Sequence, residues 1–117
     1  MSRTITPRVQ ILIDLIGQDE EQLFQSYQAT DEGSAARVIL TRLVDALEKF
    51  VFADQHYERA LASVTSKAQD EVLHGTKGFT ANAMWIAQAA EQAVEASVEM
   101  KQATETILVL VSILKHL

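Results

Sequence analysis

At 117 residues, with 48% hydrophobic and 22% charged side chains, the chain is the size of one domain and can bury its own core. It contains no cysteine, which excludes disulfides, thiol catalysis and thiolate metal sites. A formal net charge of −6 argues against a nucleic-acid surface, because phosphate binding needs a surplus of Lys and Arg.

Met1 to Pro7 carry a charge but no apolar core of the kind a signal peptide has. The strongest apolar run, Ile107 to Leu114, is far short of the roughly 20 residues that a membrane span needs. These features fit a cytoplasmic protein, or one exported without a cleavable signal peptide.

Thr6-Pro7 reads as a helix start. Threonine caps free N–H groups, and proline at the first helical position loses no hydrogen bond. Val9, Leu12, Ile16, Leu23 and Tyr27 follow at helical spacing, predicting an N-terminal helix over about 7–28. Gly17 is its weak point, and Asp19 can restart it with Glu20 and Glu21 in the favourable first turn. The segment is therefore one bent helix or two short ones. Thr30 to Ser34 reads as a loop, with Ser34 the next cap.

Residues 34–74 contain no proline and no glycine after the cap. The apolar stripe Leu40, Leu43, Leu47, Phe50, Tyr57, Leu61, Val64, Ala68, Val72 steps mostly by three and four, with Asp54 standing in one seam position. One long helix is predicted, with a break at Thr65-Ser66 as the alternative.

Residues 80–117 are again free of Gly and Pro. Their stripe is Phe79, Ala83, Ile86, Ala90, Ala93, Ser97, Met100, Thr104, Ile107, Val111, Leu114, and Gln88, Gln92, Glu95, Glu99 and Gln102 form a polar face. Folding the chain about Lys77 matches the two stripes in antiparallel register. Leu40 then meets Leu114, Leu47 meets Ile107 and Leu61 meets Ala93, so that large faces small near the turn. The expected fold is all-α: a long hairpin of about 34–74 and 80–117 with the shorter N-terminal helix packed on its open end. The whole chain, 1–117, is one helical-bundle domain, completed to a four-helix type by self-association.

The N-terminal helix can cover only the half of the hairpin away from the turn. The half near the turn, residues 56–96, has just two Ala-rich helices and too little core of its own. It is therefore the expected surface for a protein partner or for a homo-oligomer. Leu61, Val64, Ala90 and Ala93 supply its face, and Met84 and Trp85 its apolar tip. The expected function is a non-enzymatic interaction or assembly module, adaptor or chaperone-like.

His74-Gly75-Thr76-Lys77-Gly78, followed by Ala81-Asn82, resembles the His-x-x-Lys-Gly core of histidine-containing phosphotransfer domains. The resemblance covers about nine residues. It implies a four-helix bundle on which His74 accepts a phosphoryl group, Lys77 stabilises it and Gly78 allows close approach of a response regulator. The same glycines serve equally as the loop of the hairpin. The two readings make opposite demands on Gly75, and the unbroken heptads favour the loop.

No other constellation carries chemistry. Glu71-x-x-His74 has the spacing of half a dinuclear metal site, but there is no second copy. His116 reads as a residue of a helix end. No cofactor, metal, Ser-His-Asp set or phosphate loop is expected.

Overall fold

A computed structural model describes the backbone of residues 6–74 and 79–117, and the side chains of 6–70 and 83–117. It contains four helices, α1 (Pro7–Ile16), α2 (Glu20–Gln28), α3 (Ala35–His74) and α4 (Phe79–Lys115). The two long helices lie along each other as a hairpin, and the molecule measures 63 × 26 × 20 Å. A helix of 40 residues at 1.5 Å per residue accounts for nearly all of that length.

The ends of the short helices follow the expected local chemistry. Thr6 caps α1 by accepting from the backbone N–H of Val9 at 3.3 Å, with Pro7 behind it. The N-terminal segment is two helices rather than one bent helix. Gly17 takes a left-handed φ of 83° and closes α1, which side chains with a Cβ rarely do. Asp19 then opens α2 in a reciprocal capping box. Its carboxylate accepts from the Gln22 N–H at 2.8 Å, while the Gln22 side chain accepts from the Asp19 N–H at 3.0 Å. Ser34 caps α3 by accepting from the Arg37 N–H. No break occurs at Thr65-Ser66, and α3 runs on to His74.

The main core sits at the open end of the hairpin. Val9 and Leu12 from α1, and Leu23 from α2, pack against Leu40, Leu43, Leu47, Phe50 and Val51 of α3 and Met100, Ile107 and Leu110 of α4. This is the three-layer half that the covering length of the N-terminal segment predicts.

The contact between α3 and α4 differs from the expected seam in one respect. The buried line on α4 is Ala89, Ala93, Ala96, Met100, Ala103, Ile107, Leu110. Ala93, Met100 and Ile107 lie where expected. Ala89, Ala96 and Ala103 replace Ala90, Ser97 and Thr104 as the second row, with Ala90 and Ser97 exposed and Thr104 half-buried. On α3, Ala46, Ala53 and Ala60 are buried in the same heptad spacing, whereas Leu61 and Ala68 are exposed. The reason is size. Alanine at every seventh position on both helices lets the backbones approach closely, and the helices rotate to bring those rows together. Periodicity alone does not distinguish this row from its neighbour, since both step by seven.

Two substitutions separate the two kinds of packing. Leu47→Ala, at a fully buried site of the three-layer core, should cost about 2–5 kcal/mol in a urea melt. Ala53→Leu should also destabilise, by about 1–3 kcal/mol, because this fully buried site of the small-residue row has no open space beside it for the added methylenes.

Candidate functional site

Asp54 is the one polar residue among the described residues that is buried, at 1% exposure. It sits on the side of α3 that meets the start of α1. The Thr6 hydroxyl donates to its Oδ2 at 2.8 Å, and Arg8 Nε donates to its Oδ1 at 2.7 Å. Arg8 also pairs with Glu58 and lies over the Tyr57 ring, 4.9 Å from its centroid. The hydrogen bond to Asp54 is the largest cause holding the Arg8 guanidinium above its usual pKa, with burial opposing and Glu58 adding to the rise. A raised arginine pKa keeps the guanidinium charged throughout the neutral range, and the stability it contributes is lost as pH rises through the folded value, at extreme alkaline pH. Every partner here is internal, so the cluster is a clamp and not a reaction centre.

Beyond this clamp α3 and α4 continue without a third helix. Among the described residues of that arm the buried hydrophobic side chains are Ala60, Ala89, Ala93 and Ala96. Leu61 is 39% exposed and Val64 half-buried, while Ala90 lies open. Ala93 does not belong to the outer surface, because it is consumed in the seam. Met84 and Trp85 are 69% and 55% exposed and border a shallow recess of about 510 Å³ with Ala87, Gln88 and Glu91.

On the side of the hairpin away from α1, an open groove runs between the long helices. Arg42, Lys49 and Arg59 edge it on α3, Glu95 and Glu99 on α4, and Ala46, Ala60, Ala96 and Ala103 floor it. Phe52 projects into it, exposed, with its ring centroid 4.6 Å from that of His56. The expected polar face of α4 is this groove wall. Its walls are charged and solvated, and the groove is built like a surface rather than a binding cavity.

His74 is the last residue of α3 and its side chain lies outside the described residues, as do Lys77 and Gly78. A phosphoacceptor helix would run from about Ser66 past Asn82. Residues 75–78, on which that reading turns, lie outside the described residues; α4 starts at Phe79 and packs along α3 as a hairpin. The His116 ring nitrogen Nδ1 lies 2.7 Å from the Ser112 carbonyl oxygen at the end of α4. Among the described residues no group of three His, Asp or Glu side chains could hold a metal ion, and no helix is long and apolar enough to cross a membrane.

Sequence reasoning read Thr6 as a cap but missed that Thr6 and Arg8 are the partners of Asp54. The available signal was Asp54 itself, because an aspartate in an apolar seam demands a cation and a donor. It also missed Phe52, a large apolar residue off both stripes. No protein-family model, curated protein or solved structure matches the chain.

The clamp can be tested by removing one side and then both. Arg8→Met leaves the Asp54 carboxylate buried without its cation and should lower stability by about 2–4 kcal/mol in urea. Adding Asp54→Leu should recover most of that loss, since an apolar pair needs no partner. If the double variant is as unstable as Arg8→Met alone, the clamp is not what holds α1 in place.

Proposed function

We propose that the chain is a non-enzymatic protein-interaction module whose working surface is the arm of the hairpin near its turn. The observation that supports this best is the pair Met84 and Trp85, both more than half exposed on an arm whose buried hydrophobics among the described residues are alanines. Tryptophan is the residue most often found to anchor interfaces, since it offers a large rigid surface at low entropic cost. Methionine beside it adapts its shape to a partner. Covering either side chain would contribute about 1.5–3 kcal/mol, far more than any alanine of the arm can. Leu61, Val64 and Ala90 extend the apolar surface on the flank that α1 does not reach.

The alanine seam suits this role. Small side chains make the arm narrow and hold its two helices close, so that a partner meets a firm surface. The clamp at Asp54 keeps α1 off that surface by setting where the third layer begins.

Trp85 is the sole tryptophan and reports on the surface directly. In the free protein its emission should be that of a hydrated indole and should be quenched by acrylamide. Affinity capture from the native host should retain a partner that is lost with Met84→Ala combined with Trp85→Ala. That variant should keep its unfolding free energy within about 0.5 kcal/mol of the parent, as surface changes do. Incubation with a small phosphodonor should leave no acid-labile phosphate. Phosphate that disappears in His74→Gln would replace this reading by phosphotransfer.

A further inference from the structure

Besides the row it buries against α3 and the polar wall it turns to the groove, helix α4 carries exposed apolar residues on a third side, Val94, Val98 and Leu108. It is covered by α3 along one face and touched by α1 near one end, and its outward face is open. That face is Glu91, Val94, Val98, Lys101, Glu105, Leu108, Ser112 and Lys115, every one exposed. The steps are three and four throughout, so the residues form a second seam on the side away from the alanine row.

We infer that this face pairs with the same face of a second copy of the chain, the two α4 helices running antiparallel about a twofold axis near residue 103. In that register Glu91 meets Lys115 of the second copy, Lys101 meets Glu105, and Val98 meets Leu108. Each contact occurs twice by symmetry, which is what a twofold interface requires. Val94 meets Ser112, the least demanding polar partner. Four oppositely charged contacts flank the apolar layers.

The charge pattern selects this register over its neighbours. Sliding one helix by a heptad in either direction puts Lys101 opposite Val98 or Ser112, and Glu105 opposite Val94 or Leu108. A parallel arrangement stacks Lys101 on Lys101 and Glu105 on Glu105. Both leave charges against apolar groups or like charges, which disfavours them by unpaired or repelling charge. The antiparallel arrangement also opposes the two helix dipoles favourably. The overlap from Glu91 to Lys115 spans about 36 Å at 1.5 Å per residue.

The dimer goes beyond the interaction role of the arm and leaves it free. Each partner helix ends opposite Glu91, so Met84 and Trp85 lie past the overlap. The assembly would present two uncovered arms pointing in opposite directions, a bivalent arrangement that raises avidity for a repeated partner.

Sedimentation equilibrium of the full chain at micromolar concentration should give a dimer. Lys101→Glu should weaken it at least tenfold, and Lys101→Glu combined with Glu105→Lys should restore it. Because the chain has no cysteine, register can be read by oxidation. A mixture of Val98→Cys and Leu108→Cys chains should form a disulfide-linked heterodimer, whereas either alone should not. In the proposed register a residue and its own symmetry copy are about 15 Å apart along the axis at these positions, too far for a disulfide. Met84→Ala with Trp85→Ala should leave the dimer intact. A monomeric native chain, a charge reversal without effect, or crosslinking of Val98→Cys to itself would overturn the inference. A dimer lost on changing Met84 and Trp85 but indifferent to Lys101→Glu would overturn it too, while leaving the arm as the interaction surface. Circular dichroism on each variant shows that the helices persist, and the restored double variant guards against reading misfolding as dissociation.

Discussion

A carboxylate that cannot reach water decides how this molecule is layered. Asp54 lies inside the packed face of α3, and burying a charge there is tolerable only with a cation and hydrogen-bond donors against it. Arg8 and Thr6 supply both, and both belong to the first turn of α1 or its cap. The clamp therefore sets where α1 begins along α3. One polar residue thus divides the hairpin. Below it, α1 and α2 close a core of Leu, Val, Phe and Ile side chains. Above it, two helices continue alone.

The two halves are held by different physics. In the lower half, burial of Leu23, Leu43, Leu47 and Ile107 removes large apolar surfaces from water, and the strength lies in area. In the upper half the buried hydrophobics among the described residues are alanines, which contribute little area each. Their value is in letting the backbones approach, so that many weak dispersion contacts add up along the seam. An arm built this way is narrow and has little stability to spare, and its larger apolar side chains remain outside. Met84 and Trp85 are among them, and the proposed interaction role rests on their exposure.

Function follows from what the layers leave uncovered. The arm offers an aromatic anchor near its end, and α4 offers a long mixed apolar and charged seam on its back. The groove on the other side is walled by Arg42, Lys49, Glu95 and Glu99 and remains a solvated face. Among the described residues, the proposed interactions draw on these uncovered faces.

The linear chain by itself determined the class and the ends of the helices. Thr6-Pro7, Asp19 with Gln22, and Ser34 act on neighbouring backbone within a few residues, so local chemistry suffices to read them. The heptads of the long segments likewise favoured a two-helix hairpin, since the two stripes match in antiparallel register. Gly17 was legible as a weak point, but whether it bends a helix or ends one depended on the positive φ it adopts in the folded chain. Which row of each long helix faces the other was decided only in three dimensions. Periodicity allows Ala89 or Ala90 equally, and the choice goes to the row whose small side chains let both backbones close together. The partners of Asp54 were decided there too, because Arg8 lies 46 positions away and only the return of the chain brings it alongside. Local signals name the pieces, whereas rotation about a helix axis and contacts across the bundle depend on every side chain packed at once.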